Sequence, residues 1–369
     1  MGTSAGAWRD AIDEMDAALI DGYQSGVPVV ERPFRAIGSA LGIDEHEAFD
    51  RVERLLEEGI FRRFGPVLNP PVIGSSTLAA LQAPDARFDE IAATVNGYRQ
   101  VNHNYARNHE WNMWFVVTAG SRIQRDEIIA EIEAETGCDV LVLPMLTDYY
   151  IDLEFPVVNT DRYARESIAN DADVGDADVG DSIVDPPESR STGVCATRIS
   201  EDAVADLTQL EADLLLSVQE GFPLSLTPYG DVSADLDVPT EQVLAATERL
   251  CDRGCIKRIG CVVNHVKTGF DANCMVVWDV PDDERDARGE RVGALPYVTL
   301  CYHRPRRPDM GWPYNLFTMI HGREADIVDA KIDELAAEYL PYDHARLYST
   351  ETLKQTGARY ESLLSDSSG

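Results

Sequence analysis

Lysine is nearly missing from this chain. Only four of its 32 basic residues are lysine (Lys257, Lys267, Lys331, Lys354), against 65 acidic residues, and the net charge is -33. Such a balance leaves two readings, a strongly hydrated surface suited to high salt or specific binding of a basic partner. The acids are scattered over expected helix faces, not gathered in a tail. They read as the hydrated surface of a halophilic protein, where at molar salt a Debye length of roughly 3 Å screens self-repulsion. Long apolar runs are missing too: none approaches the roughly 18 residues of a membrane span. The first residues, MGTSAGAWRDAIDEMDAALI, lack a basic region followed by an apolar stretch, so no secretory signal is visible and a cytoplasmic location is expected. The seven cysteines (138, 195, 251, 255, 261, 274, 301) include no CxxC pair. Without tighter clustering they do not propose a zinc or iron–sulfur site, and they read as reduced, buried thiols.

What the chain does have is a repeat. Residues 17–69 (AALIDGYQSGVPVVERPFRAIGSALG…FRRFGPVLN) and 212–264 (ADLLLSVQEGFPLSLTPYGDVSADLD…IKRIGCVVN) share one register. Leu19 and Leu214, Pro28 and Pro223, Phe34 and Tyr229, Gly59 and Gly254, Arg63 and Arg258, and Asn69 and Asn264 coincide. An offset of about 195 residues is far too long for a solenoid unit and marks a duplicated two-domain module. In each copy the periodicity predicts three helices with a tight turn between the last two. Thr240 is the expected N-cap of the second copy's third helix, and Gly59 and Gly254 the stops. IFRRFGPVLN and IKRIGCVVN each read as a short strand pair, completing a winged helix-turn-helix. The order strand–helix–strand–strand–helix–strand follows in both copies.

The expected fold is therefore α+β: a tandem repeat of winged helix-turn-helix plus ferredoxin-like βαββαβ domain. The boundaries are 10–70 and 71–158 for copy one, 204–266 and 267–360 for copy two. Between them, 159–203 carries DADVGDADVGD and reads as an acidic flexible linker. Tyr149 and Tyr150, past the first sandwich, have no expected role.

The copies diverge in their aromatic, basic segments, VNHNYARNHEWNMWF (101–115) and VTLCYHRPRRPDMGWPYNLFTMIHGR (298–323). These hold four of the seven histidines, three of the five tryptophans and the dense trio Arg304, Arg306, Arg307. Strand alternation puts His103, Tyr105 and Arg107 on one face, with Asn102, Asn104 and Ala106 opposite; Tyr302 and Arg304 share a face, and Cys301 and His303 take the other. Trp111 and Trp114, three apart in a strand, are expected to face opposite ways. Asn112 and Asn315 recur in both copies and are expected to bond hairpin backbone.

The architecture resembles the Lrp/AsnC regulators, but those regulators have no need of the two segments, and the helices at the recognition position are net acidic. The segments themselves are similar to the siroheme decarboxylase family, whose two related subunits share this architecture. NHNYxRxHxxNxWF resembles one subunit, and CYxRPxxPxxxWPYNLFxMIHG the other, so the chain reads as a fusion of the two. The resemblance implies removal of CO2 from the C12 and C18 acetates of siroheme, giving 12,18-didecarboxysiroheme, with no cofactor beyond the substrate's own iron. Sandwich domains of this type usually pair through their sheets, so a pseudo-dimer of the two copies within the chain is expected; the acidic recognition helices argue against a nucleic acid partner, and no membrane partner is expected. For that chemistry either His303 or His321 is the expected proton donor, and His103, Tyr105, Arg107, His109, Trp111, Tyr302, Arg304, Arg306, Arg307, Trp312 and Tyr314 are the expected binding surface, because a planar octacarboxylate wants aromatic faces and guanidinium donors. The chain departs from the family at Leu300, where a histidine is expected before Cys-Tyr, and at His303, where an acid is common. The alternatives are an Lrp/AsnC-type transcriptional regulator and a tetrapyrrole-binding protein without turnover.

Overall fold

The computed structural model describes residues 12–151, 197–198, 206–264, 267–270 and 272–356. Copy one opens with α1 (Glu14–Gly22), α2 (Pro33–Leu41) and α3 (Glu45–Glu57), then β1 (Phe61–Leu68) and a single turn α4 (Pro70–Ile73). Local chemistry sets these ends. Asp13 and Asp16 form a reciprocal capping box on α1. Pro33 starts α2, and Gly42 ends it with φ 74°. On α3, Ala48, Val52 and Leu55 bury one face. The sandwich of this copy is β2 (Ser75–Leu81), α5 (Phe88–Gly97), β3 (Val101–Arg107), β4 (Met113–Ala119), α6 (Arg122–Thr136) and β5 (Val140–Pro144), followed by β6 (Thr147–Ile151). The linker expected over 159–203 lies outside the described residues except for β7 (Thr197–Arg198), which pairs with β6.

Copy two repeats the plan with α7 (Gln209–Val218), α8 (Pro228–Leu236), α9 (Thr240–Asp252), β8 (Ile256–Val263), β9 (Ala272–Trp278), α10 (Arg285–Gly293), β10 (Val298–His303), β11 (Leu316–Gly322), α11 (Ala325–Glu334) and β12 (His344–Gln355). The cap expected at Thr240 falls instead on Pro239. Thr240 is the first helical residue, and its hydroxyl meets Ser233 Oγ at 3.0 Å.

The wings differ from expectation. Neither is a hairpin: β1 and β8 are single eight-residue strands that pair with each other, antiparallel, with Gly65 opposite Gly260. Neither stretch has the two-residue turn chemistry that a hairpin needs. The crossing also requires glycine on both sides. Gly65 has φ 150°, and a Cβ there would sit 2.8 Å from the Gly221 backbone; a Cβ on Gly260 would sit 2.1 Å from the Gln24 carbonyl oxygen. The segment after α1 hydrogen-bonds β8 (Val27 N to Ile259 O, 3.0 Å; Cys261 N to Tyr23 O, 2.8 Å), and the segment after α7 reciprocates on β1 (Phe222 N to Phe64 O, 2.8 Å). Both helix-turn-helix units thus share one core, threaded by Phe34, Phe64, Phe222 and Tyr229. Gly260→Ala is expected to lower stability by about 3 kcal/mol, because the obstructing atom is backbone. Gly22→Ala, with nothing near its position, serves as control in the same thermal melt.

The sandwiches are also interlocked. The strand orders β5-β2-β4-β3 and β12-β9-β11-β10 are the same βαββαβ arrangement twice. Residues 344–348 of β12 pair with β9, and 349–355 cross over to β3. In the other direction β5 pairs with β2, and β6 crosses to β10. This gives Tyr149 its place: it is 2% exposed, its hydroxyl bonds Asp286, and its ring lies against Gly289, where a Cβ would come within 2.5 Å. The two sheets meet face to face through Ala80, Trp114, Leu141 and Leu143 on one side and Met275, Val277, Phe317 and Leu347 on the other. Helices α5 and α6, and α10 and α11, cover the outer faces.

Candidate functional site

The inner faces of the sheets carry the divergent segments. On β3, the His103 and Tyr105 rings stack at 6.2 Å, and the Arg107 guanidinium lies 5.9 Å from the Tyr105 ring centre. Asn104 points to the helix layer, donating to Asn96 Oδ1 at 3.0 Å. Just past the end of β10, Arg304 lies over Tyr302 at 4.7 Å and Phe317 at 5.8 Å. Tyr105 and Arg107 therefore correspond to Tyr302 and Arg304, and His103 corresponds to Leu300, which packs against the inter-sheet core.

The two arginines tie the copies together. Arg107 Nη1 donates to Leu347 O at 2.6 Å, and Arg304 Nη1 donates to Leu143 O. Neither meets a carboxylate among the described residues, and the Nε of each is buried without a hydrogen-bond partner. Burial pushes both below the ordinary arginine value. Holding two guanidinium groups this way is costly unless an anion completes them. His103 shares that condition: its Nδ1 is buried without a partner. Burial first, then the nearby Arg62, push its pKa down to about 4, so the imidazole is neutral at pH 7.

His321 is one of the buried polar residues and shares the inner face with Phe317 and Met319 by strand alternation. It is a strand residue and not the helix N-terminal group, since α11 begins at Ala325. Its Nδ1 meets Thr299 Oγ1 at 2.7 Å, and that hydroxyl donates to Met319 O at 3.0 Å. A hydroxyl has one proton to give, so Nδ1 carries the imidazole hydrogen and Nε2 is the basic nitrogen.

At the hairpin end, Trp111, Trp114 and Trp312 form an aromatic block, with Trp114 and Trp312 at 5.4 Å and Tyr314 edge-on to Trp312 at 5.0 Å. The opposite facing expected of Trp111 and Trp114 does not occur, because β4 begins only at Met113 and Trp111 belongs to the turn. His109 approaches Trp312 edge-on at 5.8 Å, and its Nδ1 accepts from Trp111 N. Asn112 and Asn315 hold the backbone in the same way. Each side chain bonds both N–H and C=O of one residue, Ala83 and Val280 respectively.

Three expected site residues lie elsewhere. His303 points away from Tyr302 and Arg304 toward the helix layer, where burial first, then Arg285, push its pKa down to about 4 against the opposing pull of Asp286. Arg306 is held by Asp279 at 2.7 Å and by Asp282, and Arg307 by Asp309 at 2.8 Å. The densest basic run in the sequence is thus largely consumed by neighbouring acids, a pairing that strand alternation alone does not reveal. Sequence reasoning also missed the pairing of Asp148 on β6 with Lys257 on β8, 4.0 Å apart, which offset each other's charge outside the site.

His103 makes a measurable contribution to pH dependence. In the unfolded chain its imidazole binds a proton below about pH 6.5, but in the fold only near pH 4. The stability linked to it is complete above about pH 6.5 and is lost as pH falls toward 4, by about 3 kcal/mol. In chemical denaturation at pH 7 and pH 4.5, His103→Asn is expected to reduce the acid-linked loss of stability, which His303 still contributes to in both proteins.

Fold and inner-face chemistry together define a duplicated AsnC-like protein with its two divergent segments on facing sheets. Two family descriptions match twice: AsnC-like ligand binding domain over 73–149 and 267–354, and Siroheme decarboxylase NirDL-like HTH domain over 16–62 and 211–256. The siroheme decarboxylase NirDL subunit of Paracoccus denitrificans is 34% identical over 94% of this chain and 97% of its own length. The siroheme decarboxylase NirD subunit of Pseudomonas aeruginosa is 44% identical over 40% of this chain and 97% of its own length. A crystal structure of the siroheme decarboxylase NirDL in complex with an iron-uroporphyrin III analogue superposes with a TM-score of 0.65 at 24% identity, covering 94% of this chain and 93% of that one. The chain belongs to the siroheme decarboxylase family.

Proposed function

We propose that this protein is a carboxy-lyase that removes CO2 from the C12 and C18 acetates of siroheme, yielding 12,18-didecarboxysiroheme for haem biosynthesis. The observation that carries the reading is the pair of buried arginines, Arg107 and Arg304, that meet no carboxylate among the described residues, on inner faces that also carry the neutral imidazole of His103. Carboxylates of the tetrapyrrole complete the guanidinium groups, and the ring lies against Tyr105, Tyr302 and the tryptophan block. Each turnover is redox-neutral: the C–C bond to the carboxylate breaks, CO2 leaves, and one proton converts the ring-bound methylene into methyl. No protein cofactor enters that balance, and the iron arrives with the substrate.

The proton comes from His103, with His321 as a second donor. A carboxylate beside His103 raises its pKa and loads it with the proton that it then delivers. His303, proposed from sequence, is left outside because it faces the helix layer. The regulator alternative loses its contact surfaces. The wings pair with each other, and on the helices that would read DNA, Arg51 and Arg54 bind Asp16 while Arg249 and Arg253 bind Glu211. Incubation with anaerobic siroheme tests the reading by mass spectrometry. Two successive CO2 losses are expected. A shifted absorption band without mass loss would make it a carrier, and retarded DNA with neither would make it a regulator.

A further inference from the structure

We infer that Arg62, on the first wing strand, is a ligand for a peripheral carboxylate of the substrate, so that the wing roofs the His103 end of the cleft. The inference rests on the proposed decarboxylase reading and adds a residue from a domain that the AsnC-like sheets do not contain.

Position is the first argument. Arg62 is an exposed side chain on β1, between the buried Phe61 and Phe64. Its Nη2 reaches out of the helix-turn-helix unit to Gln355 Oε1 at 3.2 Å, on the last strand of the second sandwich, and to Asn264 Oδ1 at 3.4 Å, just past the other wing. Gln355 is the register partner of His103 on β3. One guanidinium therefore bridges wing, terminal strand and the neighbourhood of the inward-facing imidazole.

Charge is the second. In a chain with 65 acids and 32 bases, most of the described arginines are met by a carboxylate. Arg62 is held by two neutral amide oxygens, and among the described residues no carboxylate lies within ion-pair distance of it. Its charge remains available to an anion.

The duplicate supplies the third. The residue at this place in the second wing is Lys257, and it faces Asp148 at 4.0 Å. The residue at the place of His103 in the second sheet is Leu300. The second copy therefore has neither an imidazole at this place nor a wing cation without a carboxylate, while the first copy has both. Such paired divergence follows if cation and imidazole serve one bound carboxylate-bearing ligand.

The test is a Soret-band titration with two iron porphyrins, uroporphyrin with eight carboxylates and coproporphyrin with four, together with siroheme turnover. Arg62→Gln keeps hydrogen-bonding capacity and loses the charge. It is expected to weaken iron-uroporphyrin binding by about 10- to 100-fold, the worth of one charge-assisted hydrogen bond, and iron-coproporphyrin binding by less. KM for siroheme should rise by a similar factor with kcat changed less, and Arg62→Lys should recover most of the loss. Lys257→Gln, whose charge is already met by Asp148, should shift binding less than about threefold. Arg62→Gln binding and KM within twofold of the parent, in a parent that decarboxylates siroheme, would overturn the inference. So would equal losses for Arg62→Gln and Lys257→Gln, or a loss that is the same for both porphyrins. A parent protein that fails to decarboxylate siroheme sinks the underlying reading instead.

Discussion

His103→Gln is expected to slow CO2 release from siroheme by at least about 100-fold, the lower range of what a positioned proton donor supplies. On the proposed reading strand parity gives the imidazole that work: it shares the inner face of β3 with Tyr105 and Arg107, and among the described residues its Nδ1 has no hydrogen-bond partner. Neutral in the free protein, it must take a proton when carboxylates arrive, and glutamine can hydrogen-bond but cannot carry that proton. Binding of an unreactive iron porphyrin should weaken far less than turnover, which separates proton delivery from docking. His303→Gln is the matched control: its ring sits beside Arg285 and Asp286 on the far side of β10, and turnover should stay within about twofold of the parent. A His303→Gln protein that lost turnover while His103→Gln kept it would return the donor to the second copy.

Arg107→Met should abolish high-affinity binding while leaving the free protein as stable as before, or more so. Arg107 is buried, bonds only a backbone carbonyl by Nη1, and leaves Nε unpartnered. Replacing a buried charge that lacks an opposite charge by an apolar side chain of similar length relieves desolvation. With substrate present the balance reverses, because a carboxylate then loses its charge-assisted partner. A loss of about 2–4 kcal/mol, or roughly 30- to 1,000-fold in Kd, is expected. A thermal melt without ligand and a Soret titration read the two effects separately. A sharp fall in Tm would show Arg107 to be a strut between the sheets and not a group held ready for an anion.

Most of the architecture was readable because it is written in local periodicity. The helix at 122–136 and the parity of HNYAR follow from side-chain spacing alone, and the duplicated register showed where one copy could check the other. What escaped was pairing between copies. FRRFGPVL and IKRIGCVV look alike whether each folds on itself or finds its twin, and only the backbone crowding at Gly65 and Gly260 decides. The fate of charge was equally hidden. Arg306 and Arg307 stand beside Arg304 in sequence, yet only Arg304 faces the other sheet without a carboxylate. His103 was legible as a binding residue but not as a candidate donor, since its burial and its unpartnered Nδ1 depend on the packing of the second copy and the wing against β3.

The crossing of β6 and β12 has a consequence for supply. Each half-chain made alone would display a raw strand edge, β3 in the first half and β10 in the second, awaiting a strand that only the other half possesses. Unmatched edges of that kind recruit whatever strand they meet, including copies of themselves. Two separate genes must therefore be expressed in step, and any excess of one product becomes an aggregation hazard. Joining the halves in one polypeptide fixes their ratio at one to one and turns an encounter between molecules into closure within one. Once folded, the exchanged strands bind the halves independently of the covalent link, so a protease cut between residues 152 and 196 should leave a complex that elutes intact from a sizing column and separates only in denaturant.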